Sequence, residues 1–333
     1  MEPISEKDEF KATIETVRGL LRDNPEWVKR YAEYAKKLST KTYSISSEGK
    51  KFREWSPLYF YMNITNAKDS SESIKLDIRY LGQSIADLKC NNKVTLDTSK
   101  YDESNKRDFD CEISLSKVAW DGGHAKEFRN YFKKNIARKT DSNKKSNEEH
   151  RLESLLITEF LKPKEKNLSN IKAVTIGNYR FPMKTPISAS NHGDIKYSAN
   201  MGGGIDILAR TGIGGETSLC IIEVKDENNT IEPPKDALKQ AIAYATFIRE
   251  LLRSDEGEKW WKLFGFRRQL PKKLVLHAVC AMPLIENSDK SFESSKIDID
   301  GDIMKLHYLY FSETNNIITK IDSSLNKNVI KKS

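Results

Sequence analysis

The chain has 333 residues, with 38% hydrophobic and 31% charged, a length that suggests about two domains. Its 16 glycines and 10 prolines are too few for a collagen-like or wholly disordered chain. A net charge of +8 and a pI of about 9.0 favour a polyanionic partner, nucleic acid first. No apolar run approaches the ~20 residues that a membrane-spanning helix needs. The best stretch, Leu274 to Ile285, is interrupted by His277 and Pro283. Cys90, Cys111, Cys220 and Cys280 are far apart, which argues against a zinc site or disulfide framework and for a reducing compartment. The first six residues lack the basic and apolar regions of a secretory signal. A cytoplasmic protein without a membrane partner is expected.

Phe10, Ile14, Val17 and Leu21 recur at helical spacing, and Asn24-Pro25 reads as the start of a second helix through Tyr31 and Leu38. A β-rich stretch follows. Leu58 to Met62 is a short aromatic run, Ile74, Leu76, Ile78 and Tyr80 alternate with polar residues, and Val94 with Leu96 suggests another strand. Ala125, Phe128, Phe132 and Ile136 then line one face of a helix. The segment 138–147 is wholly polar and reads as a linker between an N-terminal domain, 1–137, and a C-terminal domain, 148–333. Beyond it the pattern predicts a helix over 148–161, strands near 171–176, 204–209 and 219–225, a helix over 234–252 and a strand over 274–281. A further strand is expected around 306–311. That order, αβββαβ, implies an α/β chain with a mixed sheet and helices on its faces.

The chemistry is concentrated in Gly202-Gly203-Gly204-Ile205-Asp206-Ile207-Leu208 and Leu219-Cys220-Ile221-Ile222-Glu223-Val224-Lys225. Two strands flank a glycine-rich turn. If Gly214-Gly215 forms a two-residue hairpin turn, Asp206 sits directly opposite Glu223 and Gly204 opposite Lys225, leaving room for the lysine. Two facing carboxylates in an apolar sheet repel unless something neutralises them. A hard divalent cation with oxygen ligands would do so, and Mg²⁺ is commonly held by one or two carboxylates plus substrate phosphate. Lys225 is placed to orient or deprotonate an attacking water. Metal-assisted phosphodiester hydrolysis suits these parts. Glu-x-Lys alone is a poor signal, since Glu48-Gly49-Lys50 has the same pattern in a polar stretch. What distinguishes Glu223-Val224-Lys225 is its place at the end of an apolar strand.

This Asp…Glu-x-Lys hairpin between flanking helices resembles the PD-(D/E)XK, or restriction-endonuclease-like, nuclease superfamily, over about residues 148–285. The resemblance implies a restriction-endonuclease-like core, with Asp206, Glu223 and the Val224 carbonyl as Mg²⁺ ligands (Mn²⁺ substituting) and Lys225 as the catalytic lysine. Ile205 stands where many members have proline. Many members also carry a glutamate on the first core helix. Glu153 falls within the apolar face of Leu152, Leu156 and Phe160 and is the candidate fourth ligand, with Glu149, one turn earlier, as the fallback. Gln240 and Tyr244 have the Gln-x-x-x-Tyr spacing of RecB-type nucleases and lie on one helix face.

Other candidates carry less. The five histidines show no paired ligand spacing, and His277 reads as a satisfied core residue. Trp260-Trp261 reads as core packing. Arg267, Arg268, Lys272 and Lys273 form a basic loop, expected to border the site and bind phosphate. The function expected is a Mg²⁺-dependent nuclease, DNA and endonucleolytic cleavage being favoured, and defence against foreign DNA a setting that only the resemblance implies. Alternatives are an effector nuclease licensed by a partner or ligand through residues 1–137, and a non-catalytic nucleic-acid-binding module. A homodimer is compatible with cutting both strands of a duplex.

Overall fold

The spacing of Phe10, Ile14, Val17 and Leu21 produces α1 (Glu6–Asp23), followed by α2 (Glu26–Glu48). All four apolar residues are buried. The computed structural model describes residues 6–48, 56–62, 74–90, 93–99, 113–134, 145–190, 193–199, 202–293 and 295–325. Asn24 does not cap α2; its side-chain amide turns back to the Leu20 carbonyl at the end of α1.

The β-rich stretch forms β1 (Leu58–Met62), β2 (Ile74–Tyr80), β3 (Gln83–Cys90), β4 (Val94–Asp97) and β5 (Val118–Ala119), then helix α3 (Gly123–Lys134). Phe128 and Phe132 of α3 are buried, Phe132 against both Phe128 and Tyr80. Ile136 and Cys111 lie outside the described residues.

The first helix of the C-terminal half, α4 (Lys145–Phe160), starts within the polar segment, so 145–147 are helical, while 138–144 lie outside the described residues. The expected strand over 171–176 is two strands that diverge. β6 (Ile171–Ala173) pairs with β11 (Ile207–Thr211), whereas β7 (Thr175–Ile176) turns away with β8 (Tyr179–Arg180). The hairpin of β9 (Ile187–Ser190) and β10 (Gly193–Tyr197) precedes β11. Then come β12 (Ser218–Val224), α5 (Pro234–Arg253), α6 (Gly257–Leu263) and β13 (Val275–Pro283). The chain continues through β14 (Lys296–Ile299), β15 (Asp302–Thr314) and β16 (Ile317–Ser323).

Among the described residues, two seven-stranded sheets result, beside the two-stranded β9–β10 hairpin. One has the order β5-β4-β3-β2-β1-β8-β7; the other runs β14-β15-β13-β12-β11-β6, with β16 pairing β15. In the second, β6, β11 and β12 are antiparallel neighbours, and the α5–α6 crossover makes β13 parallel to β12. The chain is therefore mixed α/β, with mixed sheets. Alternation splits the second sheet into two buried faces. Leu219, Ile221, Ala278 and Cys280 join the core that contains Leu238, Ile242 and Ala245 of α5. Cys220, Ile222, Val279 and Ala281 pack with Leu152, Leu156 and Phe160 of α4.

The two halves separated by the polar segment share both a sheet and a core. β8, from beyond that segment, pairs parallel with β1, Tyr61 opposite Arg180. In return, Trp27 and Tyr31 of α2 set their rings 5.7 and 5.0 Å from Phe247 of α5, edge-on. The physical reason is α5 itself. It carries buried residues on nearly every side, so α1 and α2 must cover the face that the sheet does not. Trp260 and Trp261 are buried, and His277 pairs its Nδ1 with His307 Nε2 at 2.9 Å, a satisfied core histidine as expected. No helix among the described residues is long and apolar enough to cross a membrane.

Candidate active site

The β11–β12 ladder has the expected register: Ile207 faces Ile222 and Thr211 faces Ser218. Its loop is longer than a two-residue turn, spanning 212–217 with a 3₁₀ turn at Gly214–Glu216. Widening a turn symmetrically about its centre leaves the register unchanged, which is why the pairing survives.

Asp206 stands one residue before the ladder, where the chain bends. Its Oδ2 accepts the Val224 N–H at 2.8 Å, replacing a ladder bond with a carboxylate. A strand residue's N–H and C=O point to the same side, so the Val224 carbonyl is directed toward the Asp206 edge as well. Glu223, buried, faces the α5 side with Leu219 and Ile221. Lys225 continues past the strand end; its N–H is held by the Ala281 carbonyl, and its Nζ lies 3.3 Å from Glu223 Oε1 and 3.4 Å from Glu149 Oε1. The expected partner of Lys225 is corrected. Gly204 is bridged instead by Lys184, because the chain leaves the ladder at Asp206.

Both helix glutamates reach this place, with different partners. Glu149 contacts Lys225. Glu153, buried, accepts from His150 Nδ1 at 3.3 Å and lies near enough to Asp206 to affect its charge. The residues Asp226 and Glu232 were not legible as site residues. With Glu149 they place three carboxylate oxygens within 4.8 Å of one another, a set able to hold a cation. The adjacency of Asp226 to Lys225, and of Glu232 to the Pro233-Pro234 helix start, was the available signal.

The electrostatics follow from this crowding. Burial first, then the charge of Glu153, pushes the Asp206 carboxyl up to about 7, although Lys225 and the Val224 N–H oppose the shift. Burial and the Asp206 charge raise Glu223 well above the usual carboxylate range. Burial works to lower the Lys225 pKa, but Glu223, Asp206 and Glu149 outweigh it and hold the amine as ammonium. Three carboxylates thus act on one lysine, with Glu153 beside Asp206 as a fourth. That excess of negative charge, on oxygen-only donors, fits a hard divalent cation.

On α5, Gln240 and Tyr244 are both buried. The Tyr244 hydroxyl donates to the Ala189 carbonyl at 3.3 Å, and burial, with Glu223 and Asp206, raises its pKa. A Cβ at Gly203 would come within 2.3 Å of that hydroxyl, so only glycine lets the strand before Asp206 approach α5 this closely.

The basic loop requires a second correction. Arg268 donates to the Thr217 carbonyl at 2.6 Å, and Lys272 and Lys273 lie just before β13, whose start pairs Leu276 with Leu219. The carboxylates lie at the other end of β12, where Val224 pairs with Ala281. Five residues of strand separate the ends, about 17 Å. Because β13 is parallel to β12, the loop entering β13 must lie at the hairpin end, so Arg267, Arg268, Lys272 and Lys273 do not border the carboxylates. No protein-family model, curated protein or solved structure matches the chain.

Proposed function

We propose that this chain is a Mg²⁺-dependent nuclease of the restriction-endonuclease-like kind, hydrolysing phosphodiester bonds of DNA and favouring endonucleolytic cleavage. The observation that carries the reading is the convergence of Asp206, Glu223 and Lys225 where β11 and β12 part, with Glu149 and Glu153 brought to the same place by α4. Asp206, Glu223, Glu153 and the Val224 carbonyl would hold the cation, with Glu149 able to share it. A bound divalent cation supplies charge neutralisation to a phosphate that four carboxylates would otherwise repel.

The chain's own groups have separable tasks. Lys225, held charged, donates hydrogen bonds that orient the attacking water and stabilise charge developing on the phosphate. An ammonium in that state is an orienting donor rather than a base. Hydrolysis joins the water oxygen to phosphorus and breaks one ester P–O bond, the leaving oxygen taking up a proton. Tyr244 and Gln240 fix the wall formed by α5. Incubating the full chain with linear and covalently closed circular DNA, in Mg²⁺ or in EDTA, tests the reading. Cleavage of both forms in Mg²⁺ alone, abolished by Glu223→Ala, is expected; Mg²⁺-independent cleavage, or full activity of Glu223→Ala, refutes it.

One observation favours a second reading, an effector nuclease switched by a partner or ligand bound to residues 1–137. The first sheet includes β7 and β8, which leave β6 of the catalytic sheet directly, so displacement of the first sheet would pull on the second. Cleavage only when a partner is added would distinguish it.

A further inference from the structure

The site is rich in carboxylates, and among the described residues several cations are already engaged. Lys225 is paired with Glu223 and Glu149, Arg151 with Glu148 and Glu313, Arg79 with Asp77, and Lys235 and Lys239 with Glu9. A polyanion approaching Asp206 and Glu223 needs a cation that is not spent. Lys184 is one. It is exposed, and among the described residues no carboxylate lies within ion-pairing distance of its ammonium.

Its backbone is unusually well fixed for an exposed residue. The Lys184 carbonyl accepts the Tyr31 hydroxyl at 2.6 Å. On either side, the Ile205 N–H donates to Met183 at 2.9 Å, the Thr185 N–H to Gly203 at 3.0 Å, and the Gly203 N–H to Ile187 at 2.7 Å. Lys184 therefore stands directly across from Gly204. A Cβ at position 204 would lie 3.2 Å from the lysine Nζ and 3.6 Å from its Cδ, so the missing side chain is the space that the lysine stem occupies. Gly204 is two residues from Asp206, at most about 7 Å of chain. The result is a compact, strongly hydrated point charge on a flexible stem, with a rigid base beside the carboxylates.

We propose that Lys184 is a positioning residue that binds a phosphate of the nucleic-acid strand next to the phosphate presented to Asp206 and Glu223. The assignment rests on the nuclease reading above. It deepens that reading by placing the track of the strand over the Gly202–Gly204 segment rather than over the basic loop before β13.

The test uses the full chain carrying Asp206→Asn, to prevent cleavage, and a short fluorescein-labelled DNA duplex whose anisotropy is followed across a salt series. Removing one phosphate contact should lower the slope of log K against log salt by about 0.9 and weaken binding about eightfold near 0.1 M salt. Lys184→Gln should show both changes, and Lys184→Arg should restore the slope. In the cleaving protein, Lys184→Gln should raise KM with kcat nearly unchanged. If the parent binds DNA and Lys184→Gln leaves slope and affinity unaltered, the assignment to Lys184 is overturned and the nuclease reading stands. If Lys184→Arg fails to restore the slope and melts lower, the residue is structural and the assignment again falls. If the parent neither binds nor cleaves DNA, the nuclease reading falls, and this assignment with it.

Discussion

Replacing Asp206 by asparagine should stabilise the metal-free protein at neutral and alkaline pH. The amide oxygen still accepts the Val224 N–H, so the substitution removes charge while keeping the 2.8 Å bond. The Asp206 carboxyl sits at about 7 in the folded chain, against an ordinary value of 3.8. A carboxyl raised in this way keeps its proton in the folded state between those two values and loses it when the chain unfolds. Folding stability therefore falls as pH rises through that window, and the loss is complete above the folded value. About three pH units at 1.36 kcal/mol each give an upper bound of about 4 kcal/mol. For a chain of this size that corresponds to several degrees in Tm. The assay is thermal unfolding from pH 4 to 9 in EDTA, with and without Asp206→Asn. The wild type should lose stability toward pH 8, and the variant should lose less, keeping only the part that burial of Glu223 imposes. Added Mg²⁺ should recover the wild type and leave the variant unmoved, since a ligand at 100 times its Kd adds about 2.7 kcal/mol. Parallel pH curves, or an asparagine protein less stable than wild type at pH 8, would refute the electrostatic account of this site.

Lys225→Ala should retain divalent-metal binding by calorimetry yet slow cleavage by about 10²-fold, the scale of a lost acid–base or positioning group; collapse of metal affinity with normal turnover would reassign it. Glu149→Gln and Glu153→Gln should separate. Both remove a charge that raises Asp206, Glu153 the larger of the two, and the first also breaks an ion pair with Lys225, so Glu153→Gln should move the acidic limb of the pH–rate profile further downward. Deleting residues 1–144 removes β1 from its pairing with β8 and uncovers Phe247 of α5. Each buried apolar side chain so exposed forfeits about 1.5–3 kcal/mol, and the shortened chain should elute as aggregate in size-exclusion chromatography. A stable monomer that binds Mg²⁺ would show that the halves fold independently.

The local elements and the pairing of the β11–β12 hairpin were legible in the sequence because they rest on short-range physics. Apolar spacing marks α1 and α5, proline marks the start of α5, and alternation fixes which residues of β12 face which side. The register of β11 on β12 follows from the centre of the glycine-rich turn, whatever its length. Tertiary structure alone decided the rest. Asp206 bends out of the ladder to hold the Val224 N–H, so Gly204 meets Lys184 rather than Lys225. Glu149, Asp226 and Glu232 become neighbours only when α4 is laid against the end of β12. The parallel placement of β13 sends the basic loop to the far end of the sheet. The polar segment 138–147 looks like a boundary because nothing in it can enter a core, yet α5 must be covered on the side away from its sheet, and the nearest apolar surfaces belong to α1 and α2. Burial is settled by what lies opposite in space, which composition along the chain does not encode.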